Sequence, residues 1–237
     1  MSTQISSERL DGPQGIPGSN FRATNLDLVL AIVIALGLPF ACQWLFDHTG
    51  GALASLLLYY GVCCVAVVWW RKGTLDYRWP RRWPWLLFAL SLLVPLAIAA
   101  LNYDSLPDYH APMVGFVLTI LIWVPLNAAM EQLSWFYVLD SWRNRWQSGV
   151  LRWLGLIVGI VLLVVLVTLI HLLFWVHFLP TSKPTPYSWL SIPLNLLLTA
   201  SYAALYYRSG SMFPTFLSIC WPTCNSCCLP IMQFGLI

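Results

Sequence analysis

Residues 154–178 read LGLIVGIVLLVVLVTLIHLLFWVHF, an apolar run whose strongly polar exceptions are two histidines, His171 and His177. A helix rises 1.5 Å per residue and the hydrocarbon core of a bilayer is about 30 Å thick, so about 20 such residues cross a membrane. This stretch therefore predicts a transmembrane helix, with two imidazoles close to its end.

The rest of the chain has the same character, with 59% hydrophobic and 9% charged residues and a mean hydropathy of +0.73. These values lie outside the balance of a soluble domain. The other runs of spanning length are Leu26 to Phe46, Ala52 to Trp70, Trp83 to Leu101, Pro112 to Leu139 and Trp189 to Tyr207. A seventh run begins at Ser211. We expect an all-α, polytopic membrane helical bundle with six to seven transmembrane helices and no nucleic-acid partner.

The basic residues predict the orientation of this bundle. Eleven of the 12 Lys and Arg residues fall on one side if the spans alternate, and Lys183 alone falls on the other. Because basic loops stay in the cytoplasm, we expect a cytoplasmic N-terminus.

Residues 1–25 are polar and rich in Gly and Pro, so they predict a disordered cytoplasmic tail rather than a signal peptide. Residues 26–218 form the predicted membrane domain. Most of its Trp and Tyr residues are explained by an aromatic belt at the span ends.

Polar residues at membrane depth are the candidates for function, since ionisable ones cost roughly 2.5–3.5 kcal/mol each to insert. In the fourth run, LIWVPLNAAMEQLSWFYVLDSW, they are Asn127, Glu131, Gln132 and Ser134. A carboxylate together with an imidazole is the minimum needed to activate a water molecule. The alternatives for the carboxylate stay open: a hydrogen bond that packs helices together, a pore-lining charge, or a carboxyl kept neutral by burial. Each histidine can equally be a packed, hydrogen-bonded side chain. A metal site would need a third ligand, so a divalent metal is left open and no cofactor is clearly encoded.

The order of these residues resembles the motifs of the CAAX protease and bacteriocin-processing (CPBP, or Abi) family of intramembrane proteases. Glu131 to Phe136 is similar to its first motif, Glu-Glu-x-x-x-Arg, and Leu173 to His177 is similar to its second, Phe-x-x-x-His. Tyr206 to Leu217 is similar to the approach to its third, His-x-x-x-Asn or Asp. The resemblance covers a core of about 112–218, roughly half of the chain.

The resemblance implies an endopeptidase in which Glu131 activates water and His177 assists, with Gln132 and His171 in support. On straight helices His177 and Glu131 would lie at different depths, and His171 is then the second choice of partner. The implied substrate is a membrane-associated protein or peptide in contact with the bilayer, and a bacterial inner membrane is the implied location. Four positions depart from the family pattern: Gln132, Phe136, Leu173 and Ile219.

Residues 219–237 form an atypical C-terminal tail, with Cys220, Cys224 and Cys227 in a Cys-x-x-x-Cys-x-x-Cys spacing. That spacing holds iron–sulfur clusters in loops of soluble barrel enzymes, a context that this chain does not offer. Reading the codons one base earlier allows the missing His-x-x-x-Asp or Asn run, so we hypothesise a frameshift near Ser218. The rival functions are a catalytically inactive family member that acts as a maturation or immunity factor, and a transporter.

Overall fold

Helices make up the architecture of the protein. The computed structural model describes residues 21–80, 82–102, 113–146, 149–177 and 191–220, and these contain no β-strand. The helices are α1 (Asn25–Thr49), α2 (Leu53–Lys72), α3 (Trp85–Asn102), α4 (113–143), α5 (Gly149–Leu173), α6 (Ser191–Ser209) and α7 (213–220). A 3₁₀ turn, Trp175–His177, follows α5. The all-α prediction is therefore confirmed for the described part of the chain.

Among the described residues, three helical segments are long and apolar enough to cross a membrane: Asn25–Thr49, Leu53–Lys72 and Gly149–His177. A shorter apolar stretch, Trp85–Val94, begins α3. Most of the predicted N-terminal tail, the loop residue Lys183 and the C-terminal tail beyond 220 lie outside the described residues. The structure thus supports a membrane protein at the coarse level of long apolar helices.

Three helices contain a wider turn, in which the backbone bonds reach one residue further than in an ordinary α-helix. These turns are Val33–Gly37 in α1, Leu57–Ala66 in α2 and Thr119–Trp123 in α4. Two of them come just before a proline, Pro39 and Pro125, whose ring has no N–H and clashes with the carbonyl one turn earlier. The third contains Tyr59 and Tyr60, and wide turns of this kind are frequent at functional sites.

Helix α4 is the centre of the bundle. Every residue from Glu131 to Ser141 is buried, and a helix buried on all sides must be surrounded by other elements. Its closest neighbour is α5, where Gly155 and Gly159 face the backbone of α4. A Cβ on Gly155 would overlap the carbonyl oxygen of Trp142, and one on Gly159 would lie 3.0 Å from that of Leu139. Small residues at this spacing let two membrane helices approach closely.

The helices run alternately between two ends of the bundle. At one end the start of α1 contacts the end of α2 through Asp27 and Arg71, 2.8 Å apart. The end of α2 contacts the end of α4 there through Lys72 and Asp140, 2.9 Å apart. We name this region the charged end and define it by these four residues. At the opposite end, Phe46 near the end of α1 stacks on His177 after α5, with ring centroids 4.5 Å apart.

Candidate functional site

The carboxyl group of Glu131 lies inside the bundle, where the residue is 3% exposed. Its Oε1 atom accepts hydrogen bonds from the Tyr59 hydroxyl at 3.3 Å and from the Trp175 indole N–H at 3.1 Å. Its Oε2 atom accepts one from the Asn127 amide at 3.2 Å. The donors come from α2, α4 and the turn after α5, so one side chain joins three elements. We name these four residues the Glu131 cluster.

Aromatic packing holds the donors of the Glu131 cluster in place. Tyr59 stacks on Tyr60 with ring centroids 5.1 Å apart, and Trp175 meets the edge of Trp123 at 5.9 Å. The Tyr60 hydroxyl donates to the side-chain oxygen of Asn127, which turns the amide nitrogen of Asn127 towards Glu131. Tyr59 and Trp175 are fully buried. The carboxyl group therefore sits among side chains whose positions are fixed by their neighbours.

Neutral donors alone surround this carboxyl group, because none of the ion pairs among the described residues includes Glu131. In an environment of low polarity, hydrogen bonds of this kind are electrostatically stronger than in water. Such a carboxyl can hold or accept a proton once a water molecule or a substrate displaces one donor. The arrangement is thus capable of acid–base chemistry, and it also suffices as a purely structural junction.

The two predicted histidines lie apart from the carboxyl group. His177 is exposed and stacks on Phe46, and none of its described contacts is with Glu131. His171 is half-buried, with its Nδ1 atom 2.7 Å from the carbonyl oxygen of Val167 one turn earlier in α5. The residue that reaches Glu131 from this segment is Trp175, two positions before His177. Nothing in the sequence singled out Trp175, and its buried position beside a carboxylate was not foreseen.

Gln132, the predicted supporting residue, is also buried. Its amide nitrogen donates to the carbonyl oxygen of Ala128 at 3.0 Å, while its Oε1 atom accepts no hydrogen bond from the described residues. Thr215 in α7 has a buried hydroxyl that likewise forms no hydrogen bond with the described residues. At the position where the third family motif has its histidine, Ile219 packs into the apolar core. No imidazole from α7 therefore reaches the interior in the part of the chain that the structure describes.

A second polar cluster, at the charged end, was missed by sequence reasoning. The ammonium group of Lys72 lies 2.9 Å from Asp76 and 2.9 Å from Asp140, and the side chains of Lys72 and Asp140 are fully buried. The hydroxyls of Tyr206 and Tyr207 donate to Asp140 at 2.9 and 3.0 Å. An available signal was Asp140 itself, since an acidic residue near the end of a buried helix requires a cation.

The other ion pair of the charged end ties the start of α1 to α2. Arg71 donates from two nitrogens to the two oxygens of Asp27, at 2.8 and 3.0 Å. The Tyr137 hydroxyl of α4 donates to the same carboxylate at 2.9 Å. Thr24, just before α1, donates to it through its backbone N–H and its hydroxyl. These hydrogen bonds fix the helix ends. They occupy both oxygens of the Asp27 carboxylate, so neither is open to a substrate.

The described residues contain no group of three or more His, Cys, Asp or Glu side chains that could hold a metal ion. The histidines do not meet Glu131, so the donor set required for a divalent metal is not assembled there. The predicted cysteine spacing in the tail lies outside the described residues, apart from Cys220.

The comparisons with known proteins add no relative to this picture. No protein-family model matches the chain, and no curated protein or solved structure matches it.

Proposed function

We propose that this chain is an integral, multi-pass protein of a bacterial inner membrane, with six to seven spans and a cytoplasmic N-terminus. Support comes from the way basic residues of separate segments meet at one end. Arg145 after α4 donates to the side chain of Asn25 at the start of α1, at 3.0 Å. Arg78 after α2 donates to the backbone of Gly210 after α6, at 3.2 Å. One end rich in Lys and Arg is the pattern expected of the cytoplasmic side.

The proposed activity of this protein is intramembrane peptide hydrolysis of a membrane-associated protein substrate, with Glu131 as the general base. The single observation that carries the proposal is the hydrogen bond from Trp175 to Glu131. This bond joins two segments, one similar to the first CPBP motif and one similar to the second, at the same depth in the bundle. Straight helices would hold the two segments at different depths. In a hydrolysis, Glu131 would take a proton from water as the oxygen attacks the peptide carbonyl carbon.

His177 is the proposed partner of Glu131, and His171 is the alternative. Trp175 and His177 belong to the same short turn, so a rotation of this turn would exchange an indole for an imidazole beside the carboxyl group. In a protein without substrate, catalytic hydrogen bonds are often long or poorly aligned, and they tighten only in the complex. The imidazole would then stabilise the developing oxyanion or hold the transferred proton.

A second candidate function, a non-catalytic maturation or immunity factor, is favoured by two observations. Both oxygens of Glu131 already accept hydrogen bonds in a buried site, and Ile219 stands where the family has a histidine. Loss of one oxyanion donor can lower a rate by about 10²–10³. In this role, Glu131 would join three elements and perform no chemistry.

Cleavage of membrane peptides by the purified full chain in lipid nanodiscs separates the two candidates. Fragments would be identified by mass spectrometry after incubation with a library of single-span peptides and prenylated peptides. If the chain is a peptidase, Glu131→Gln abolishes cleavage, whereas Asp47→Asn, an exposed residue at the opposite end of the bundle, leaves it unchanged. Cleavage that persists in Glu131→Gln would refute the proposed general base. The absence of any cleavage by the folded chain would favour the non-catalytic factor.

A further inference from the structure

A groove of about 400 Å³ opens on the surface between the start of α3 and the end of α6. It is lined by Pro84, Trp85, Leu86 and Leu87 on one side and by Arg208 on the other. Trp85 is 67% exposed and Leu86 is 75% exposed, so none of the described helices covers the apolar wall. The groove therefore combines an uncovered apolar surface with one guanidinium group.

The charge around this groove is unbalanced. The described carboxylates of the charged end, together with Asp76, are engaged with Arg71 or Lys72. Arg82 and Arg208, in contrast, are exposed and form no ion pair with a described residue. Their positive charge faces outward without a counter-ion in the part of the chain that the structure describes, so a negatively charged group would complement it.

Tryptophans next to the groove indicate the depth at which it lies. Trp83 stacks on Trp85 at 5.2 Å, and Trp79 packs against Phe213 at 5.2 Å. Trp79 is itself 71% exposed. Exposed tryptophans that adjoin basic residues are typical of the level of lipid headgroups in a membrane protein. A ligand that matches the groove at this level of the membrane has an anionic head group and an apolar tail.

We propose that this groove binds one anionic phospholipid, with its phosphate on Arg208 and an acyl chain on Trp85 and Leu86. The proposal rests on the membrane topology proposed above and does not depend on peptidase activity. Arginine recognises phosphate through paired hydrogen bonds, and basic residues near a bilayer surface attract anionic lipids. The lipid would fill a gap between α3 and α6 that side chains leave open, and so act as part of their interface.

Retention of lipid by the full chain tests the proposal. The protein would be purified from nanodiscs that contain equal parts phosphatidylglycerol and phosphatidylcholine, and bound lipids would be counted by native mass spectrometry. We expect the wild-type chain to retain one phosphatidylglycerol. Arg208→Gln should reduce this retention about fivefold, the effect of one basic residue near an anionic surface. Arg208→Lys should keep most of it.

Arg152→Gln is the matched control, because Arg152 is also exposed but lies on α5 and does not line the groove. Equal retention of both lipids by the wild-type chain would overturn the proposal, and so would equal losses in the two Gln variants. Resistance to alkaline extraction from membranes is measured in parallel. If the wild-type chain is extracted, the topology has failed; if it resists extraction but shows no lipid preference, only the lipid site has failed.

Discussion

The Glu131 cluster and the charged end both bury carboxylates, yet they stabilise them in different ways. At the charged end, Asp140 and Asp27 each have a cation within 3 Å as well as tyrosine hydroxyls. In the Glu131 cluster, the same kind of group has three neutral donors and no cation. The buried ion pairs thus lie at the helix ends, whereas the carboxyl group in the interior is stabilised by hydrogen bonds alone.

This difference indicates separate tasks for the two regions. Full ion pairs fix helix ends in one arrangement, and removing one partner leaves an uncompensated buried charge. A carboxyl held by neutral donors can change partners at lower cost, which is what acid–base chemistry requires. Four substitutions test whether the two regions differ as described, with the free energy of unfolding in mixed micelles as the common measurement.

The largest effect is expected for Lys72→Met. This change leaves Asp76 and Asp140 close together without their shared cation, and should lower the free energy of unfolding by about 3–5 kcal/mol. The double variant Lys72→Met/Asp140→Asn should recover part of the loss, because it removes one of the two stranded charges. Arg152→Met, at an exposed position, is the control and should change stability by less than about 0.5 kcal/mol. A loss below about 1 kcal/mol for Lys72→Met would mean that the buried pairs are not formed.

Glu131→Leu is expected to have the next largest effect. It removes the carboxyl oxygen that accepts from the Tyr59 hydroxyl and the Trp175 N–H. Each buried donor that finds no other acceptor costs about 1–3 kcal/mol. Glu131→Gln keeps one acceptor oxygen in nearly the same shape, so it should cost about 1 kcal/mol or less. Equal losses in the two variants would show that the charge of Glu131, rather than its hydrogen bonds, matters to the fold.

Gly155→Ala tests the contact on which the Glu131 cluster depends, since α5 must lie close to α4 for Trp175 to reach Glu131. The added methyl group would overlap the backbone of Trp142, which should destabilise the protein by about 1–3 kcal/mol. Gly61→Ala is the matched control on α2, where a Cβ would meet no atom within 4 Å. If the two alanines had the same effect, the close approach of α4 and α5 would be disproved.

The smallest effect is expected for Tyr59→Phe, which removes one of the three donors to Glu131. Because Trp175 and Asn127 still donate, the loss should be about 1 kcal/mol, the usual net contribution of one hydrogen bond. Tyr77→Phe, which removes a hydroxyl that donates to the backbone of Ala129 at 2.6 Å, gives the comparison outside the cluster. A loss above about 3 kcal/mol for Tyr59→Phe alone would mean that the cluster acts as one cooperative unit.

The sequence predicted the class of the fold and the singular position of Glu131. Long apolar runs and a carboxylate inside one of them are local features, so periodicity and composition are enough to find them. The partners of that carboxylate could not be predicted, because Tyr59 and Trp175 lie 72 and 44 residues away and resemble ordinary membrane tryptophans and tyrosines. The proposed pairing of Glu131 with His177 stays a prediction, since the described ring contact of His177 is with Phe46.

The amino-acid sequence by itself determined that this protein is helical and apolar, and that basic residues fall in every second connection between apolar runs. Each of these properties depends only on residues that are neighbours in the sequence. Only the tertiary structure decided that Gly155 lets α5 lie against α4, that Lys72 lies between two aspartates, and that Trp175 donates to Glu131. Each of these contacts depends on which helix faces which, and this is set by the packing of side chains distant in sequence. No single segment of the sequence specifies which helices face each other.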